Sequence, residues 1–261
     1  MNLFIAPFVN ALFACYYWVG NFGWAIVLVT LVLKLILLPL IWPSLKSANK
    51  TREIQPKLNK LKEKYGNDKQ ALAKAQMELY KMEGINPLSG CLPQILQIVV
   101  LLLFFSAFNL VTGFSGSGKR GSVDEINAQL IPSFKISQGF NFNLDYFGSD
   151  LALSPAKVFS KGMSTDLILP LVLLLGSGIL QFFSAKMMMP NPKVDEKMVE
   201  KTKDKEDDMM AAMRTQSLYM MPAMTIFIGW NFSLGLLLYW FANSVLMIGQ
   251  QFLVNKISKK N

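Results

Sequence analysis

The sequence contains no histidine, only two cysteines, and no acidic residue inside its long apolar runs. Without histidine the chain cannot form a HExxH zinc site or a Ser-His dyad. It also has no pair of carboxylates within an apolar run that could act as acid and base inside the membrane. Neither a phosphate-binding loop nor a metal-ligand cluster is visible. Cys15 and Cys91 fall near opposite faces of the topology predicted below, too far apart for a disulfide. We therefore predict no enzyme activity, no cofactor and no metal.

Apolar residues are abundant, at 52% of the 261 residues, and several apolar runs approach twenty residues. That is the length a helix needs to cross a bilayer. The mean hydropathy of +0.34 agrees with this pattern. We predict an all-α membrane protein with five transmembrane helices around a hydrophilic groove, a cytoplasmic antiparallel helical hairpin and an N-terminal interfacial helix.

The predicted segments follow from where apolar runs give way to charge, glycine or proline. Pro39 and Pro43 mark the expected exit of the first crossing, and Asn86-Pro87 the expected start of the second. The segments are an interfacial amphipathic helix (1–20), transmembrane helix 1 (21–43), the hairpin (44–86), transmembrane helix 2 (87–112), an external loop (113–165), transmembrane helix 3 (166–188), a cytoplasmic loop (189–214), transmembrane helices 4 (215–232) and 5 (233–255), and a basic tail (256–261).

The charges predict the orientation of these segments. Residues 44–86, 186–214 and 256–261 together hold 20 of the 26 basic residues, whereas the N-terminal segment holds none and the 113–165 loop holds five. Because basic residues accumulate in cytoplasmic loops, the N-terminus is expected outside and the C-terminus inside. The basic cytoplasmic segments then account for the net charge of +9, which need not indicate nucleic-acid binding.

One cation, Lys34, lies well inside the first apolar run, 23–42. A lysine at the centre of a spanning helix costs roughly 3 kcal/mol, so such charges usually face protein or trapped water and usually have a function. The alternative is a lysine that snorkels to the interface. No Asp or Glu lies near it in a predicted span. We interpret Lys34 as the centre of a functional site.

Other polar residues are predicted at the depth of Lys34. Gln94, Gln97 and Gln181 lie about 10 to 15 Å from the cytoplasmic ends of their helices, and Thr30 shares a helical face with Lys34. Each amide alone could simply bridge two helices. Together they predict a wet hollow in the inner half of the bilayer. A stripe on the last helix extends it: Tyr239, Asn243 and Gln250.

Several motifs, in order, resemble the YidC/Oxa/Alb family of membrane protein insertases. They are GNFGWAIVLVTLVLKLILLPL, NPLSGCLPQILQ, TDLILPLVLLLGSGILQFFSAKMM, and QSLYMMPAM with GLLLYWFANSVLMIGQQ. By position, Lys34 takes the place of the family's groove arginine, Thr30 that of its neighbour one turn earlier, and Gln181 and Trp240 those of polar and aromatic groove residues. Lys34 keeps the charge of the arginine and loses its planar fork.

The resemblance implies an insertase and chaperone that moves nascent transmembrane segments from the cytoplasm into the bilayer of the cell (inner or plasma) membrane. It implies nascent membrane proteins, the lipid bilayer, the ribosome and a Sec-type translocon as partners. The alternatives are a small-solute or ion transporter with Lys34 in the substrate path, and a structural assembly scaffold. The predicted groove residues are Lys34, Thr30, Gln94, Gln97, Gln181, Tyr239, Trp240 and Asn243.

Overall fold

The computed structural model describes residues 2–65, 68–86, 92–113, 121–162, 164–188 and 215–258. Three predictions therefore lie outside the described residues: the start of transmembrane helix 2 at Pro87, the 189–214 loop and the end of the tail. The described helices are α1 (Asn2–Val19), α2 (Phe22–Glu53), α3 (Gln55–Tyr65), α4 (Lys69–Met82), α5 (Leu92–Thr112), α6 (Val123–Asn127), α7 (Pro155–Phe159), α8 (Ile168–Met188), α9 (Met221–Gly229) and α10 (Leu234–Ser258), and the strands are β1 (Asp145–Tyr146) and β2 (Ser149–Asp150).

Four helices in the described part of the chain are long and apolar enough to cross a membrane: α2, α5, α8 and α10. Together with the largely helical fold they make the chain a multi-pass membrane protein. The predicted fourth crossing corresponds to a π-helical turn, Gln216–Met220, followed by α9. These two pieces extend about 21 Å at 1.5 Å per residue, less than the hydrocarbon thickness of about 30 Å. A count of five crossings therefore stays a prediction.

Helix α2 continues through Pro39 and Pro43, where the exit of the first crossing is predicted, and ends at Glu53. The packing of this end explains the continuation, because Ile41 and Leu45 are buried against α10. Neighbouring helices can stabilise a helix that has lost a backbone donor to proline. Near the end of α2, the Arg52 guanidinium donates a hydrogen bond of 2.6 Å to the carbonyl of Met187 on α8.

Residues 121–162, which we call the cap segment, cover one end of the helix bundle. The cap segment accepts main-chain hydrogen bonds from the starts of two long helices: Phe22 N of α2 donates to Asn143 O, and Leu234 N of α10 donates to Leu153 O. Near the end of α5, Gly121 N of the cap segment donates a hydrogen bond to Leu110 O. Helix α8 begins directly after the cap segment. All four long apolar helices thus have one end at this cap.

Helix α1 lies against the cap segment and the bundle with one face buried. Its Asn10 amide donates to Gln129 O at 2.7 Å and accepts from Ile131 N at 2.8 Å. The Tyr16 ring of this helix is 7% exposed and packs among Phe22, Phe140 and Phe142. The neighbouring aromatic residues of the helix remain exposed, Tyr17 at 46% and Trp18 at 80%.

Helices α3 and α4 form an antiparallel pair. Lys57 near the start of α3 forms an ion pair with Glu83, just after the end of α4, and Asp68 caps α4 by accepting from Ala71 N. The turn at residues 66–67 lies outside the described residues. A small separate core holds the pair together: Ile54, Leu58, Leu79, Tyr80 and Ile85. The buried apolar residues of 54–85 thus pack within the pair.

Helix α10 lies at the centre of the bundle, between α2 and α8. Close approach is possible at glycine. A Cβ on Gly235 would lie 2.2 Å from Phe108 on α5, and a Cβ on Gly176 of α8 would lie 2.7 Å from Phe241 on α10. Small residues in membrane helices commonly permit such packing. The first turns of α10 are consequently among the most deeply buried parts of the chain.

Candidate functional site

Lys34 lies on the side of α2 that faces the rest of the protein. Buried Thr30 precedes it by four residues and buried Ile41 follows by seven, which are same-face spacings. Val32 and Ile36, two residues to either side, are 43% and 64% exposed. The Lys34 side chain is half-buried and forms no ion pair with any described carboxylate. The side chain is thus directed away from the outward face, and no acidic partner is found in the described chain.

Three of the predicted polar residues lie at similar depths in the bundle. Measured along α2, α5 and α8 from their ends at the cap segment, Lys34, Gln97 and Gln181 lie about 18, 22 and 20 Å deep at 1.5 Å per residue. Gln94 lies about one turn deeper and is exposed. The common layer expected from the sequence is therefore compatible with the described helices.

Gln97 and Tyr239 are brought together, although 142 residues separate them. The Gln97 Nε2 donates to the Tyr239 hydroxyl at 2.8 Å. The Tyr239 ring is 1% exposed and stacks on Phe104, with centroids 4.8 Å apart. Tyr239 therefore cannot form the surface of a groove. It connects α10 to α5 and fixes the orientation of the half-buried Gln97 side chain.

Gln181 has a partner that the sequence reasoning missed. The Thr225 hydroxyl on α9 donates to Gln181 Oε1 at 2.8 Å, and Thr225 is 8% exposed. The sequence could have indicated this partner, because Thr225 is the one hydroxyl residue in the otherwise apolar MPAMTIFIG of α9. This bond leaves the Gln181 amide nitrogen free to donate elsewhere, because an amide offers both a carbonyl acceptor and an NH₂ donor.

The remaining predicted residues differ in exposure. Thr30 is 2% exposed and its hydroxyl donates to Ile26 O at 2.6 Å. Asn243 is 6% exposed, and Trp240 is half-buried against Phe232. Nowhere in the described ranges do three or more His, Cys, Asp or Glu residues come together as a metal site. Of the eight predicted residues, Lys34, Gln94, Gln97, Gln181 and Trp240 keep at least partly exposed side chains.

On the side of Lys34 away from the cap segment, α2 and α10 are in contact. Gln250 Nε2 of α10 donates to the Lys34 carbonyl at 3.4 Å. Further along, Ile41 and Leu45 pack with Val254 in a small apolar cluster. This cluster closes the α2–α10 seam. Gln94 on α5, in contrast, is exposed.

Replacing Tyr239 by phenylalanine should lower the free energy of unfolding by about 0.5 to 1.5 kcal/mol, because the half-buried Gln97 amide loses its partner. The measurement is denaturation of the purified protein in detergent. Replacing Gln97 as well, by leucine, should recover part of the loss. Gln94→Leu, an exposed amide on the same helix, is the matched control and should change stability by no more than about 0.5 kcal/mol. Equal stabilities for Y239F and Q94L would contradict the prediction.

Comparisons with known proteins place this arrangement among membrane proteins. A family model described as 60Kd inner membrane protein matches residues 14–261. Three similar proteins carry the name membrane protein insertase YidC. The one from Citrifermentans bemidjiense is 30% identical over 250 residues, covering 96% of this chain. The one from Pelobacter propionicus is 30% identical over 252 residues and also covers 96%. The one from Clostridium tetani is 31% identical over 241 residues and covers 92%.

The relatives differ in how much of their own length is matched. The chain spans 36% of the Citrifermentans protein and 38% of the Pelobacter protein. It spans 84% of the Clostridium protein. The shared part is therefore the helical membrane portion described above, and the longer relatives contain a large additional region.

Proposed function

The chain belongs to the 60Kd inner membrane protein family, which is the YidC/Oxa family, and from that premise we propose that it is a membrane protein insertase and chaperone. It would accept nascent transmembrane segments from the cytoplasm and release them into the lipid bilayer. The names of the relatives support the activity, and four helices suited to crossing a membrane support its location. Nascent membrane proteins and lipid are the partners that this activity requires.

The proposed topology has five crossings, with the N-terminus outside and the C-terminus in the cytoplasm. The fourth crossing would be the short Gln216–Gly229 stretch, which is followed by a turn whose Trp230 carbonyl accepts a hydrogen bond from Ala156 N of the cap segment. The cap segment would then lie outside and the basic α3–α4 pair inside, in agreement with the distribution of basic residues. The α3–α4 pair and the basic tail would meet the ribosome, and a Sec-type translocon would cooperate with the bundle.

The observation that carries the proposal is a half-buried lysine at membrane depth with no described acidic partner. Water and an incoming anionic group would stabilise it in place of a carboxylate of the protein. At 4 Å a charge pair is worth about 1 kcal/mol in water and about 4 kcal/mol at an intermediate dielectric. An attraction of this size favours entry of an acidic flank and still allows its release.

The proposed groove extends from the level of Thr30 towards the cytoplasm and is closed on the outer side. Above Thr30, the inward face of α2 is dry, since Ile26 and Val29 are fully buried. Towards the cytoplasm we place the entrance beside α5, where Gln94 is exposed, because apolar packing fills the α2–α10 seam. Gln94, Gln97 and Gln181 would hold the water. Trp240 would contact the passing segment, while buried Tyr239 and Asn243 would support the wall.

Photocrosslinking tests the function directly. A photoreactive residue at Gln181 or Trp240 should form a crosslink with a ribosome-stalled nascent membrane protein. The same photoreactive residue in place of Trp18, which is exposed at the other end of the bundle, should give few crosslinks. Crosslinks that appear only after the substrate has folded would support an assembly scaffold, and absence of crosslinks from both groove positions would reject the proposed function.

A further inference from the structure

The tip of the β1–β2 hairpin presents an aromatic residue in an unusual backbone conformation. Phe147 has φ 51° and the next residue, Gly148, has φ 79°. Two central residues with positive φ are typical of a type I′ hairpin turn, in which Asn or Gly is preferred at the first position. A bulky residue with positive φ is an outlier. Phe147 nevertheless remains 75% exposed, so packing within the described protein covers little of its ring.

The hairpin holds Phe147 in a fixed position. The Tyr146 ring occupies the space that a side chain on Gly23 would take, since a Cβ there would lie 2.1 Å from Tyr146 Cδ2. Asn21 Nδ2 donates to Asp145 O at 2.6 Å. Gly148 N donates to Asp145 Oδ1 at 2.8 Å and closes the turn. The exposed ring is therefore attached firmly to the start of α2.

The ring lies at the end of the outward apolar stripe of α2. Trp24, Leu31 and Leu35, at spacings i, i+7 and i+11, are 48%, 37% and 59% exposed. The Phe147 ring centroid lies 6.3 Å from that of Trp24. In a helix that crosses a membrane, such a stripe faces the acyl chains, and its first residue lies near the boundary with the headgroups. Phe147 continues the stripe at that boundary.

We propose that Phe147 inserts into the membrane interface on the side of the cap segment and, with Trp24, anchors this segment to the lipid. The continuity with the stripe of α2 identifies the occupant of this apolar tip as the bilayer. Aromatic side chains are favoured at this depth. Asp145 and Asp150 flank the tip and are exposed. Their carboxylates would stay among the headgroups and keep the insertion shallow. The proposal requires that α2 spans a membrane and does not depend on insertase activity.

Spin labelling tests the anchor. The label is placed at Phe147→Cys in the full-length chain with Cys15→Ser and Cys91→Ser, and the protein is reconstituted at a high lipid-to-protein ratio. The ratio of collisions with oxygen, which is lipid-soluble, to those with a water-soluble nickel complex is then measured. The matched control is Gln138→Cys, at an exposed turn of the same cap segment. The ratio should be several-fold higher at position 147 than at position 138.

Two results would overturn the anchor. Equal ratios at the two positions would mean that the tip lies in water, and exclusion of both reagents at position 147 would mean that a protein surface covers it. Because the label replaces the ring, a second variant retains an aromatic side chain. The added fluorescence of Phe147→Trp should be quenched by lipids brominated near the headgroups, more strongly than that of Gln138→Trp. Equal quenching would also reject the anchor.

Discussion

Replacing Lys34 by methionine is expected to reduce insertion of a membrane protein with an acidic N-terminal tail by about fivefold or more. The lost attraction is between about 1 and 4 kcal/mol, and each 1.4 kcal/mol corresponds to a factor of ten. Methionine is unbranched like lysine and only one atom shorter, so the loss of charge is the main change. Insertion is measured in proteoliposomes as protease protection of the newly inserted segment.

Two variants and a second substrate separate the charge of Lys34 from general effects. Lys34→Arg keeps a cation at the site and should retain most of the activity. Lys46→Met removes a cation from an exposed position of the same helix and should behave like the unchanged protein. A substrate with a neutral tail should insert equally well with K34M. Equal insertion of the acidic substrate by the unchanged protein, K34M and K34R would remove the charge from the mechanism.

The helices of this chain follow from local pattern, which is why the sequence predicted most of them. Apolar runs near twenty residues indicate the four long helices that could cross a membrane. The protein-facing side of Lys34 also follows from spacing, because Thr30 and Ile41 share its face of the helix. These features depend on residues within a few turns of one another.

Other features depend on contacts between distant residues, which a single sequence does not reveal. The hydrogen bond of Gln97 to Tyr239 requires α5 and α10 to be neighbours in a particular register. Helix α2 continues past Pro39 and Pro43 because α10 packs against its end. The burial of Tyr16 depends on how the cap segment folds over α1. All three features are decided by tertiary contacts.

Replacing Gly235 by alanine is expected to lower the free energy of unfolding by about 3 kcal/mol, because overfilling a close-packed contact costs roughly that amount. The new Cβ would lie 2.2 Å from Phe108 Cε2 and 2.5 Å from Phe108 Cζ. Phe108 is 1% exposed and has little room to move. Unfolding of the purified protein in detergent, followed by tryptophan fluorescence, measures the change.

The same helix supplies the control for Gly235. A Cβ on Gly249 would meet no atom within 4 Å, so Gly249→Ala should be neutral or stabilise the helix by up to about 1 kcal/mol. Phe108→Leu should rescue part of the loss in G235A, since the smaller side chain vacates the space that the methyl group enters. Equal stabilities of G235A and G249A would contradict the close approach of α10 to α5. Rescue would show that the loss arises at this contact and not from the backbone of α10, because only the contact involves Phe108.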